Sequence, residues 1–128
     1  MIQTIMKKIL ILILFLNFSN ALASEFDSNF TQKVFEQAQK DGKTVVVYSW
    51  NKFCSTCAKQ KPILKQAKQD FSEVLFLDFE QTEYKDVAEY LNISYWSTIA
   101  VYKNNKQVTQ AIGLDNKDDI YSLIKEGI

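Results

Sequence analysis

The sequence predicts an α/β domain with a central four-stranded mixed sheet flanked by helices, in the order αβαβαββα. Three observations carry that prediction. Apolar, β-branched runs of strand length alternate with segments of helical periodicity. The last two strands are separated only by Asn104-Asn105, and paired asparagines tolerate the positive φ of a two-residue hairpin turn. Both cysteines, Cys54 and Cys57, lie where the first strand passes into a helix.

Composition narrows the chemistry. A chain of 128 residues suits one domain, and 47% hydrophobic with 13% aromatic content indicates a real core. The formal net charge is zero and all fifteen positive charges are lysine, with neither arginine nor histidine present. Without arginine there is no bidentate reader of phosphate or guanine, so no nucleic-acid partner is expected. Without histidine, Cys-His nucleophilic catalysis and His-containing zinc sites are excluded. Two cysteines alone do not complete a four-ligand metal site, and no metal or separate cofactor is expected.

Residues 1–23 read as a signal peptide. Lys7 and Lys8 precede the unbroken apolar run Ile9 to Leu16, and Ala21-Leu22-Ala23 fits a small-x-small cleavage pattern. An uncleaved anchor is the competing reading, but the run falls short of the roughly 20 residues that span a bilayer. The mature domain is then 24–128, exported, and periplasmic if the source is a Gram-negative bacterium. Outside the cytoplasm a cysteine pair can persist as a disulfide.

The elements follow in order. Phe30, Val34, Phe35 and Ala38 recur at helical spacing from Asp27 to Lys40, with Asp27 or Ser28 as N-cap and Asp41-Gly42 as the stop. Thr44 to Ser49 is the first strand. A helix runs from Ser55 to Gln69 with Pro62 inside it, where a backbone donor is lost. Val74 to Phe79 is the second strand and Asp86 to Leu91 a short helix. Thr98 to Tyr102 and Lys106 to Ile112 form the hairpin, and Gly113 interrupts its end. Asp115 or Asn116 caps a last helix through Lys125, with Ile120, Leu123 and Ile124 inward. Helix-separated strands are expected to pair in parallel and the closing hairpin antiparallel.

A C-x-x-C at a strand-to-helix turn sets the first sulfur at a helix N-terminus, where unpaired N–H groups and the dipole favour thiolate. The order of elements around this pair resembles the thioredoxin family from about residue 28 to 126. Trp50 lies four residues before Cys54 and Pro62 five after Cys57, both as in that family. The segment Ile93 to Val101 (ISYWSTIAV) fits the lead into the family's third strand, and Gly113 its glycine before the last helix.

The resemblance implies thiol–disulfide exchange on disulfide-containing proteins, with Cys54 as nucleophile and Cys57 as resolving thiol. It also implies a membrane electron donor, because an exported protein has no direct access to cytoplasmic reductant. A monomer is expected. Phe53, Tyr95 and Trp96 are expected to form an apolar, substrate-binding rim, with Trp50 supporting the turn from beneath. The absence of a large inserted helical region favours a reductase over an oxidase. A competing reading is an exported binding module in which Cys54–Cys57 is a fixed structural disulfide.

Three departures from the family bear on mechanism. Its cis-proline falls at Ser97, and a cis bond before a non-proline residue costs about 3–4 kcal/mol, so Trp96–Ser97 is expected trans. The Ser97 hydroxyl then either approaches Cys54 or fills space. The family's buried aspartate is replaced by Tyr48, and its partner lysine by Asp78. Asp78 is either a proton relay to Cys57, its pKa raised by burial, or a strand-end carboxylate facing water. Lys52 and Lys59 add positive charge near the sulfurs.

Overall fold

The computed structural model describes residues 26–128. The signal segment read from residues 1–23 lies outside the described residues. Eight elements follow one another: α1 (Gln32–Lys40), β1 (Val45–Trp50), α2 (Ser55–Asp70), β2 (Leu75–Glu80), α3 (Lys85–Leu91), β3 (Thr98–Lys103), β4 (Lys106–Ile112) and α4 (Lys117–Lys125). The αβαβαββα order is the one expected.

The sheet runs β2-β1-β3-β4. Side chains of a strand alternate between faces, and each face has its own apolar layer. Val45, Val47, Leu77, Phe79 and Ala100 pack with Phe30, Phe35 and Val87 on the α1/α3 side. Val46, Tyr48, Ile99 and Val101 pack with Cys57, Leu64, Ile120 and Ile124 on the α2/α4 side. Each large side chain so buried contributes roughly 1.5–3 kcal/mol. β1 is buried along nearly its whole length, whereas β4 is an edge strand with mostly exposed residues.

One expectation about pairing is corrected. β1 and β2 are parallel and β3 and β4 antiparallel, but β3 also runs antiparallel to β1. The reason is length. A parallel return must travel back along a six-residue strand, about 20 Å, whereas the seven residues of α3 rise only about 10 Å. The chain therefore re-enters the sheet at the end where β2 left it. That end is also the end of β1, so the loop before β3 lies beside the cysteine turn.

The first helix starts later than expected. Thr31, not Asp27 or Ser28, is its N-cap, accepting from the Val34 N–H, and Val34 itself faces solvent. Ser28, at φ 63°, and Asn29 instead cover the open edge of β2. Asn29 Oδ1 accepts the Asp78 N–H at 2.8 Å, Ser28 Oγ accepts the Glu80 N–H at 2.8 Å, and the Phe30 N–H reaches the Asp78 carbonyl at 3.0 Å. An edge strand covered this way is not offered to other chains. The remaining turns follow expectation: Asn104 and Asn105 take φ 53° and 62°, and Asn116 caps α4.

Gly127 closes the fold against the sheet. Its carbonyl accepts the Thr44 hydroxyl, and a β-carbon there would collide with Val101 Cγ1 and Thr44 Cγ2. Gly127→Ala is expected to destabilise the domain by about 1–3 kcal/mol, lowering Tm by about 4–8 °C per kcal/mol. Thermal unfolding measures this, and an unchanged Tm would contradict the packing.

Candidate active site

β1 delivers the chain to Trp50, and Asn51-Lys52-Phe53 turn it into α2. Cys54 is the N-cap of that helix, in extended conformation at φ −89° and ψ 109°. Its Sγ accepts the Cys57 N–H at 3.1 Å, so an orphan donor of the helix N-terminus points at the first sulfur. Cys54 and Cys57 form a disulfide with their Cα atoms 5.2 Å apart. The two sulfurs are not equivalent: Cys54 is partly exposed, whereas Cys57 is 0% exposed within the α2/α4 layer.

Polar groups hold the turn from below. Asn51 Oδ1 accepts the Phe53 N–H at 2.9 Å, and the Cys54 N–H reaches the Asn51 carbonyl at 3.2 Å. Asn51 Nδ2 donates to the buried carboxylate of Glu80, which also receives the Thr82 hydroxyl and the Glu83 N–H, each at 2.8 Å. Burial works to raise the Glu80 pKa, but the hydrogen bonds from Thr82, Glu83 and Asn51 prevail and hold it below its ordinary value. Neither Asn51 nor Glu80 was anticipated as part of the site. The signal available in the sequence was a second acidic residue, Glu80, two positions after Asp78 at the end of a largely apolar strand.

Asp78 is buried, which corrects the reading of a carboxylate facing water. Its Oδ2 accepts the Trp50 indole N–H at 2.8 Å and the Ser28 N–H at 3.1 Å. Trp50 is thus braced from beneath, and Lys61 Nζ stands 3.9 Å from its ring centroid on another side. Burial pushes the Asp78 pKa up, partly countered by Trp50 and Ser28. Tyr48, the register partner of Asp78, donates its hydroxyl to the Cys57 carbonyl at 3.3 Å. Burial and the charge of Asp78 both raise the Tyr48 pKa, so the phenol stays a neutral donor.

The loop before β3 forms the other wall. No peptide bond among the described residues is cis, so Trp96–Ser97 is trans as expected, and Ser97 has φ 53°. Cys54, Ser94, Tyr95, Trp96, Ser97 and Ile112 line one open cavity of about 370 Å³. Phe53 is 84% exposed, Tyr95 63% and Trp96 40%, so all three are available as the expected rim. Ile112, half exposed, joins them unforeseen. Lys52 and Lys59 are less available than expected: Lys52 pairs with Glu83 at 3.3 Å and Lys59 with Asp115 at 3.6 Å, both on the surface.

The raised Asp78 pKa has a stability consequence of definite sign. A carboxyl that holds its proton more tightly when folded costs stability as pH rises above its unfolded value, near 3.8, through the folded one. Asp78→Asn is therefore expected to gain stability relative to wild type as pH rises from 3 to 7. Urea unfolding of the two oxidised proteins across that range reads the difference, and a pH-independent difference would contradict it.

Comparison with known proteins places this geometry. The thioredoxin family model matches residues 22–126. Thioredoxin of Mycoplasma genitalium is 30% identical over 91 residues, covering 71% of this chain and 89% of its own. Thioredoxin of Rickettsia bellii is 29% identical over 103 residues, covering 79% and 98%. Among solved structures, Trxlp from Edwardsiella tarda superposes with a TM-score of 0.70 at 21% identity, covering 74% of this chain and 94% of that one. With a Cys54–Cys57 disulfide at the N-terminus of α2, the chain belongs to the thioredoxin family and is a thiol–disulfide oxidoreductase.

Proposed function

We propose that the protein is an exported reductase, or exchanger, of disulfides in envelope proteins, with Cys54 as attacking thiolate and Cys57 as resolving thiol. The observation that carries this reading is the asymmetry of the pair. Cys54 opens on the cavity with a helix N–H at its sulfur, and Cys57 is sealed beneath it. Export rests on the pattern of residues 1–23, and a membrane electron donor follows from export. The protein acts as a monomer, with no cofactor besides the redox-active disulfide.

In the reducing direction the Cys54 thiolate attacks one sulfur of a substrate disulfide and expels the other as thiolate. Cys57 then loses its proton and attacks Cys54 Sγ. The Cys54–Cys57 bond re-forms, the second substrate sulfur leaves, and the substrate has gained two electrons. The rim of Phe53, Tyr95 and Trp96 gives an unfolded or flexible substrate an apolar surface beside the sulfur. Asp78, the buried carboxyl on the same sheet face as Tyr48 and Cys57, is the proposed acceptor for the Cys57 proton. Ser97, in the family's cis-proline position, shapes the wall that faces Cys54.

Two measurements test this. In insulin reduction the wild type is expected to be active and Cys54→Ser to fall to background. A redox titration is expected to give a midpoint between about −270 and −120 mV, whereas a disulfide resisting strong reductant would sink the reductase in favour of a binding module. For the relay, the rate of disulfide exchange in wild type should rise as Asp78 ionises. Asp78→Asn should lose that inflection, and an unchanged pH profile would rule the relay out.

A further inference from the structure

We propose that Gln60 is a positioning residue that sets the redox balance of the pair, its Oε1 accepting a hydrogen bond from the Cys57 thiol in the reduced protein. Gln60 lies three residues after Cys57 on α2, on the buried face formed by Cys57, Gln60, Leu64 and Ala67, and is itself 0% exposed. Its Nε2 donates to two carbonyls, Ser97 at 3.1 Å and Leu114 at 2.8 Å. Both partners are acceptors, so only the NH₂ end of the amide fits against them and its orientation is settled. The oxygen is thereby turned away from both. Among the described residues Gln60 Oε1 is buried without a hydrogen-bond partner.

A buried acceptor without a donor is rare in folded proteins and asks for an explanation. The state of the pair supplies one. A disulfide carries no hydrogen and has nothing to donate. On reduction by a dithiol donor, which becomes a disulfide, the Cys54–Cys57 bond breaks and the pair takes two electrons and two protons. The proton on Cys54 Sγ can leave to solvent, because the helix N-terminus supports the thiolate. The proton on Cys57 Sγ stays, because that sulfur is sealed from water. Reduction thus creates one new buried S–H donor.

Side chains three residues apart on a helix are neighbours, so the new donor arises one turn from the unpaired oxygen. The Ser97 carbonyl already accepts from Gln60 and from the Gly113 N–H at 3.0 Å. Pairing Cys57 Sγ–H with Gln60 Oε1 gives that buried oxygen a donor and gives the S–H added by reduction an acceptor. Gln60 therefore favours the dithiol over the disulfide. The inference rests on Cys57 being the partner that keeps its proton.

The full chain would be equilibrated with dithiothreitol redox buffers at pH 7 and the reduced fraction compared between wild type and Gln60→Leu. Losing one hydrogen bond in the reduced form alone is expected to move the equilibrium about fivefold toward the disulfide. An unchanged constant would overturn the proposal, because a mere brace between α2 and the two loops destabilises both redox forms alike. A second measurement does not depend on that variant folding. In Cys54→Ser the only thiol is Cys57, and its infrared S–H stretch is expected below the free-thiol position. A free-thiol frequency there would equally overturn the proposal. Iodoacetamide labelling of the reduced wild type separates the two readings. Label on Cys57 would overturn both, whereas label on Cys54 with an unshifted equilibrium would overturn the role of Gln60 alone.

Discussion

The Cys57 N–H that points at Cys54 Sγ is the contact on which the site depends. For it to exist, the chain must leave β1 at Trp50, reverse within three residues and enter α2 with a cysteine as N-cap. A reversal that tight beside a packed sheet strands backbone donors that water cannot serve. Asn51 takes them up, and Asn51 is held in turn by Glu80 at the end of the neighbouring strand. A buried carboxylate with no cation partner would be costly unless fully hydrogen-bonded. Thr82, Glu83 and Asn51 meet that condition. The reactive turn is therefore underpinned by a buried anion.

That arrangement decides what can tune the thiolate. There is no histidine or arginine, and the two nearby lysines are engaged in exposed ion pairs with Glu83 and Asp115. Such pairs are worth about 0–1 kcal/mol and are screened by salt. The helix terminus acts at contact distance and is screened much less. Beneath it, Asp78 and Lys61 bear on Trp50 from different sides, one through the indole N–H and the other over the ring. Together they fix the Trp50 floor of the turn.

The parts of this structure that could be read from the sequence are those whose causes are local. Asn104-Asn105 turns because both residues accept positive φ, and Asn116 caps because Asp119 lies three residues on. The cysteine pair was recognisable because its strand, turn and helix are contiguous. What escaped is non-local. Ser28 and Asn29 resembled a helix start until the open edge of β2, some fifty residues later, gave them donors to accept. Gln60 carries no signal of its own on α2, because its partners Ser97 and Leu114 are 37 and 54 residues away. The direction of β3 was missed because pairing rules ignore how far a seven-residue helix can carry the chain.

Ser97 shows how the loop beside Cys54 is held. A serine at φ 53° in the left-handed region costs about 1–2 kcal/mol, so the loop keeps that conformation only because its surroundings impose it. The Ser97 carbonyl is held by Gly113 and Gln60, the Tyr95 carbonyl accepts the Thr98 hydroxyl at 2.6 Å, and Gln81 Nε2 holds the Ile93 carbonyl at 3.2 Å. Every one of these is a hydrogen bond to backbone, and none uses the side chains of Tyr95 or Trp96. The backbone is fixed so that both aromatic side chains stand free at the mouth of the cavity beside Cys54. The same hydrogen bonds that hold a strained serine in place therefore also fix the backbone of the cavity wall beside Cys54.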